Sequence, residues 1–329
     1  MSFSTLRGLS GTIGLLKRAL ISGKIAHSYL FTGIEGCGKK QTALAFIQAV
    51  FCGRDEGCGT CPSCRKITNL QHPDLHLLEP DGAFIKIDQV RELQKVLSYR
   101  SFEAPKKACI IDGADRLNTA AGNALLKTLE EPPGDALLIL ISSNPGSILP
   151  TILSRCQQLN FPALPQGEIE KYLVETGVTA DTARVASSLA DGSMRKAIDI
   201  SREDTLQQRA SVVGKLSTLS LQNIGSLFRC AEELAADKDQ LKEILETLTV
   251  FLRDALLIHE GTQEIVNSDL MNLVKEQTGR NSRDSLLEKL HHVDDARRAI
   301  ERNVNTRLAL DILLMRLAGD AGLSCTPPQ

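Results

Sequence analysis

The sequence predicts an α/β fold: a parallel sheet between helix layers, followed by a region that is helical throughout. Three observations predict it. Short apolar runs at Ser28-Tyr29-Leu30-Phe31, Ala108-Cys109-Ile110-Ile111 and Ala136-Leu137-Leu138-Ile139-Leu140-Ile141 read as strands. Strands apolar at nearly every position have both faces covered, as in a parallel sheet. A glycine-rich turn, Gly33 to Lys40, separates the first strand from a helical pattern at Ala43-Leu44-Ala45-Phe46-Ile47. From about Leu206 onward no strand remains, and Leu241, Ile244, Leu245, Leu248, Phe251, Leu252, Ala255 and Leu256 keep the three-four spacing of a helix with one apolar face.

The 329 residues suggest two or three domains, at roughly 100–200 residues each. Hydrophobic residues at 42% and charged residues at 24% are ordinary for a globular chain, so disordered, collagen-like and membrane classes fit poorly. The net charge of −2 argues against a dedicated nucleic-acid clamp. With no Trp and 4% aromatics, a stand-alone single-strand binder, which needs stacking rings, is not expected.

Taken in order, the N-terminal apolar pattern Ile13, Leu15, Leu16, Ala19, Leu20, Ile21 is broken by Lys17 and Arg18. No cleavage-like site follows, so an export signal is not expected and the location reads as cytoplasmic. The charge-free stretch Ala136 to Ser154 contains Ser142-Ser143-Asn144-Pro145-Gly146-Ser147 and Pro150, which make it a strand and loop rather than a membrane span. Ala120 to Leu129 reads as a helix ended by Pro132-Pro133. Phe161-Pro162-Ala163-Leu164-Pro165 reads as a linker. Short helices follow at Glu168–Glu175, Thr182–Leu189 and Arg195–Ile200, with Gly177 and Gly192 as stops. Val304–Leu317 continues the helical pattern, and residues 325–329 read as a loose tail. The expected domains are 1–163, 164–205 and 206–329, with a metal module at 52–64.

Gly33-Ile34-Glu35-Gly36-Cys37-Gly38-Lys39-Lys40 has the G-x-x-x-x-G-K spacing of a phosphate loop. Its glycines turn backbone N–H groups toward phosphate, and Lys39 reaches the terminal phosphates. The motif wants Ser or Thr next, because that hydroxyl ligates Mg²⁺. Lys40 stands there instead, and Thr42 lies two residues too late to face the same way. Ile110-Ile111-Asp112 ends a buried strand as a Walker B segment does, but Gly113 replaces the Glu that would orient an attacking water. Asp115 reads as a turn or cap residue. With both groups missing, little or no hydrolysis is expected. Lys39 and the glycines leave ATP or ADP binding open, and Mg²⁺ is not expected.

The nine cysteines include a tight set, Cys52-x5-Cys58-x2-Cys61-x2-Cys64. An odd total with one cluster suggests a metal in a reducing compartment rather than a disulfide framework. Four thiolates at this spacing point to a closed, structural Zn²⁺ site; four reduced thiols in a loop and a redox pair are the alternatives. Ser154-Arg155-Cys156 follows the last predicted core strand. An arginine at the edge of a nucleotide-binding domain can reach a γ-phosphate held by a neighbouring subunit, although most lone arginines are solvated or paired.

Ala26-His27-Ser28-Tyr29-Leu30-Phe31-Thr32-Gly33, the four-cysteine insertion, the run from Asn123 to Pro133 and Ser154-Arg155-Cys156 occur in this order. Together they resemble the bacterial clamp-loader AAA+ family of the DNA polymerase III holoenzyme. That resemblance implies a RecA-like AAA+ domain with a zinc insertion, a small helical lid, and a collar that holds a ring. It also implies a sensor-1 polar residue at Ser143 and a sensor-2 arginine at Arg195, where a loop residue and a helix-surface arginine are the plainer readings. In this family the gamma/tau motor members carry both motifs complete, while a non-motor member is degraded in both and keeps Ser-Arg-Cys. This chain resembles the non-motor member. Its length is in keeping, since a tau-type chain carries a long extension after the collar.

The resemblance implies a stator. Its partners are gamma/tau and delta subunits, the sliding clamp, and primer-template DNA through the complex, with no membrane. Arg155 acts in trans on a neighbouring motor site during clamp loading, and the isolated chain has no appreciable ATPase or polymerase activity. Glu130 and Glu131 read as solvated. The alternatives are an active gamma/tau-like ATPase, disfavoured by Lys40 and Gly113, and a zinc-stabilised adaptor without a role in replication. An independent DNA-binding protein fits the charge poorly, although Lys106-Lys107 or Arg65-Lys66 could touch phosphates within an assembled ring.

Overall fold

The apolar runs form the middle of a five-stranded parallel sheet. Its strands are β1 (Ser28–Thr32), β2 (Leu75–Leu78), β3 (Ala108–Asp112), β4 (Leu137–Ser142) and β5 (Gln157–Asn160), in the order β2-β3-β4-β1-β5. Leu30 pairs with Leu140 of β4 and Ile110 pairs with Ile139. The computed structural model describes residues 2–54, 56–217, 221–262, 265–302 and 304–319. The predicted tail at 325–329 lies outside them. Two compact units result: one holds the chain to Gly177 plus Ala190–Ile198, the other holds Val178–Leu189 and the chain from Asp199 on.

The first unit carries α1 (Ser10–Ser22), α2 (Lys39–Cys52), α3 (Pro62–Thr68), α4 (Ile87–Leu97), α5 (Thr119–Glu130), α6 (Pro150–Leu153) and α7 (Gln166–Glu175). Strand side chains alternate between sheet faces. Tyr29 and Phe31 lie on one face, where Tyr29 meets Phe46 of α2 edge-on at 5.4 Å and Phe31 meets Phe161 at 4.9 Å. Leu30, Cys109, Ile111, Leu138 and Leu140 lie on the other, in one core with Val90 and Leu93 of α4 and Leu125 and Leu129 of α5. Both faces are thus covered, as continuous apolar strands require.

His72, just before β2, and His76, within it, each bury an Nε2 with no hydrogen-bond partner. Burial is the main cause pushing both imidazoles below the ordinary histidine value, near 6.5 in an unfolded chain, roughly. As pH falls through that value the unfolded chain takes up protons that the folded chain refuses, so stability is lost toward acid. Denaturant titrations at falling pH should therefore show a declining midpoint, and His76→Phe should flatten that decline. A slope unchanged by the substitution would assign the acid sensitivity elsewhere.

Next along the chain come α8 (Ala180–Leu189), in the second unit, and α9 (Met194–Ile200). The second unit continues with α10 (Glu203–Ser217), α11 (Ile224–Ala235), α12 (Lys238–His259), α13 (Met271–Arg280), α14 (Arg283–Glu301) and α15 (Thr306–Gly319). The three-four apolar face of α12, Leu241 to Ala255, is buried with Val274, Leu286, Val293, Leu310 and Leu314. Asp254, fully buried there, accepts from the Asn267 N–H at 2.7 Å and from its side-chain amide at 2.6 Å.

Some apolar residues of this unit are exposed. Leu308, Ile312 and Met315 of α15 are exposed at four- and three-residue steps, and Leu221, Ile224 and Phe228 are exposed on or beside α11. Arg307 Nη2 donates to Phe228 O at 3.0 Å and ties the two helices together. Among the described residues, no helix is long and apolar enough to cross a membrane.

Candidate functional site

The phosphate loop joins β1 to α2 through three glycines at positive φ: Gly33 (149°), Gly36 (77°) and Gly38 (101°). A Cβ at Gly33 would lie 2.3 Å from Phe161 O, and one at Gly36 would lie 2.8 Å from Arg195 Cβ. Only glycine fits at these two close approaches. Lys39 opens α2 and is buried, donating through Nζ to Gly33 O at 2.5 Å, Ile34 O at 2.6 Å and Ser143 Oγ at 3.4 Å. Burial pushes the Lys39 ammonium down, opposed by the charges of Cys37, Asp112, Glu35 and Asp115. The Ser143 N–H donates to the Asp115 carboxylate at 3.2 Å. Arg195 donates its N–H to Gly36 O at 3.4 Å and holds its guanidinium 3.8 Å from Glu35, both side chains largely exposed.

Lys40 Nζ lies 2.6 Å from Glu79 Oε1 and 3.1 Å from Asp112 Oδ2. Burial works to lower its pKa, but the hydrogen bonds to Glu79 and Asp112 outweigh that and raise it, so it stays charged. The fold's usual Mg²⁺ does not fit these residues. An ammonium already sits on Asp112. The nearest helix hydroxyl, on Thr42, is buried and spent on Gly38 O at 2.8 Å. Gly113 offers no carboxylate for a water. Sequence reading missed Glu79, because it follows a short edge strand that carries no pattern.

Arg155 lies at the other end of β1. Ser28, which opens that strand, donates its hydroxyl to Arg155 O at 2.7 Å. The side chain is about one-third exposed, and its Nη2 lies 2.5 Å from Glu130 Oε1. Glu130, read from the sequence as solvated, is therefore ion-paired. The eight loop-side residues Gly33, Gly36, Gly38, Lys39, Lys40, Asp112, Ser143 and Arg195 gather around one phosphate loop, and Arg155 stands apart from them.

The four cysteines converge although Cys52 ends α2 and Cys61 caps α3. Their sulfurs all lie within 4.8 Å of one another, with Cys58–Cys64 at 3.9 Å and Cys52–Cys61 at 3.8 Å. A tetrahedral thiolate site with metal–sulfur bonds of ~2.3 Å has sulfur–sulfur edges of about 3.8 Å, so the cluster could hold a metal ion. Backbone N–H groups of Cys61 and Thr60 push the Cys58 thiol down to about 5, while burial pushes Cys64 up to about 12. Gln48 of α2, fully buried, donates to Cys64 O at 2.8 Å and fixes the module to the domain.

Residues 9–165 match the family model for DNA polymerase III, delta subunit, and residues 203–319 match the model for its C-terminal region. The chain is 33% identical to DNA polymerase III subunit delta' of Bacillus subtilis, over 92% of this chain and 94% of that one. It is 29% identical to subunit delta' of Escherichia coli over 90% of each. It is also 32% identical to Bacillus subtilis subunit tau, over 77% of this chain but 50% of tau. Among solved structures, a gamma subunit-related protein of Thermotoga maritima aligns over 94% of this chain and all of its own, at 18% identity and TM-score 0.52. At that identity the likeness speaks for the fold alone.

Proposed function

Because the chain belongs to the delta' subunit family of the DNA polymerase III clamp loader, we propose that it is the ring's non-hydrolysing stator. It lends Arg155 to the ATP site of a neighbouring motor subunit while the sliding clamp is loaded onto primed DNA. Its partners in this reading are the gamma/tau and delta subunits and the clamp, with DNA engaged through the complex. The chain works as a P-loop domain, 1–163, a helical lid, 164–205, and a collar, 206–329. Zn²⁺ in the four-cysteine cluster holds the 52–64 module in shape and leaves no position open for chemistry.

The observation that carries this reading is the Lys40 ammonium bound between Glu79 and Asp112, with Gly113 where a water-orienting carboxylate belongs. No step of ATP cleavage is supported by these side chains, whichever nucleotide the loop holds. What the chain itself offers is a partly exposed guanidinium and a partly exposed collar face. Steady-state hydrolysis by the purified chain should be indistinguishable from a buffer control. Turnover at the level of a working P-loop ATPase would overturn the stator reading.

The outer face of α11 and α15 supports assembly through the collar. Apolar side chains left exposed together on a helix mark a surface that a partner can cover. Leu310, Leu313 and Leu314 are already buried inside the unit, and Leu308, Ile312 and Met315 are not. Ile312→Asp should leave the chain folded, because the position is partly exposed. It should weaken co-assembly with motor and delta subunits by about thirtyfold, the effect of losing a central anchor worth ~2 kcal/mol. Size-exclusion co-elution across a dilution series measures this, and an unchanged profile would move the interface elsewhere.

A further inference from the structure

Segments far apart in sequence meet at the opening end of β1. Arg155 Nε donates to Glu130 Oε1 at 2.8 Å, and Nη2 lies 2.5 Å from the same oxygen in an ion pair. Nη1 donates to Thr151 O at 3.0 Å and Ser154 Oγ at 3.3 Å. Beneath them the Ser28 hydroxyl bonds Arg155 O, and His27 Nε2 lies 3.0 Å from Leu129 O. Glu130 is the last residue of α5 and is followed by Glu131. A carboxylate is disfavoured there, because the C-terminal end of a helix carries partial negative charge. Local helix physics therefore does not explain Glu130, and the arginine does.

We infer that Glu130 is a positioning residue for Arg155: it keeps its grip on the Nε edge while Nη1 trades Thr151 and Ser154 for a phosphate on the neighbouring subunit. The contacts divide by strength. Those to Glu130 are charge-assisted, and those to Thr151 and Ser154 are longer and go to neutral acceptors. A guanidinium has five N–H donors in a fixed fork. Anchoring one edge to a carboxylate fixes the plane of that fork and leaves the outer edge to bind phosphate with two donors. An unanchored arginine would have to be ordered at the moment of engagement.

The inference rests on Arg155 acting in trans, and the test separates the two. ATP turnover by the clamp loader reconstituted with clamp and primed DNA would be measured for wild type, Arg155→Ala, Glu130→Gln, Glu130→Asp and the Arg155→Ala/Glu130→Gln double variant. Melting of each purified chain controls for folding. Glu130→Gln should lower kcat about tenfold with KM for ATP and complex assembly unchanged, Glu130→Asp should recover part of it, and the double variant should be no slower than Arg155→Ala alone. A loss on Arg155→Ala with none on Glu130→Gln overturns the role of Glu130. A faster rate on Glu130→Gln overturns it too, since Glu130 would then be restraining the arginine. No loss on Arg155→Ala overturns the trans reading itself.

Discussion

Arg155→Ala in the reconstituted clamp loader is expected to depress ATP cleavage at the neighbouring motor site by about 10³–10⁵-fold, the usual worth of an arginine supplied in trans. Clamp loading should fall with it. The chain should fold and assemble as before, since a partly exposed ion pair such as Arg155–Glu130 contributes only ~0–1 kcal/mol to stability. Cys156, next in sequence, is buried, and the Ser28 bond to Arg155 O does not involve the side chain, so the backbone mount survives truncation. Arg155→Lys restores the charge but not the two-donor fork, and should recover only a small part of the rate. Loading assays under single-turnover conditions read the effect without dilution by other motor sites. An unchanged loading rate for Arg155→Ala would remove this residue from the mechanism.

The parts of this arrangement that the sequence discloses are those that depend on local constraints. β1, β3 and β4 are readable because central strands must be apolar on both faces. β5 is not, because as an edge strand it buries only Leu159, and β2 is four residues long with its buried residues at the ends. The glycines of the phosphate loop are readable because the backbone itself needs them. The partners of its lysines are not: Lys40 meets Glu79 across 39 positions, and no spacing rule connects them. Arg155 and Glu130 are 25 apart and join two surface segments, so each alone looks like a solvated charge. The cysteine cluster is legible in full, but its tie to the domain through Gln48 is a buried amide that no pattern marks.

Removing the proposed Zn²⁺ from the four-cysteine module is expected to be the most damaging change to stability. The purified chain should carry one zinc, and a strong chelator should lower its melting temperature in a single step. Structural zinc sites of this type hold roughly 10–16 kcal/mol of apparent binding free energy, so even a fraction transmitted to the domain exceeds any single side-chain contact. The route of transmission is visible. Cys52 ends α2, Gln48 of the same helix bonds Cys64 O, and Lys66 of α3 pairs with Glu103 at 2.6 Å. Cys64→Ala should be the most severe single substitution, since Cys64 is the fully buried cysteine of the four and its loss would open the proposed tetrahedron from inside. Cys230→Ser, a half-buried cysteine outside the cluster, should keep both the zinc and the melting temperature. A metal-free protein that melts like the native one would leave the four thiols without a structural role. Disulfides among these four sulfurs in freshly purified protein would replace the metal with a redox reading.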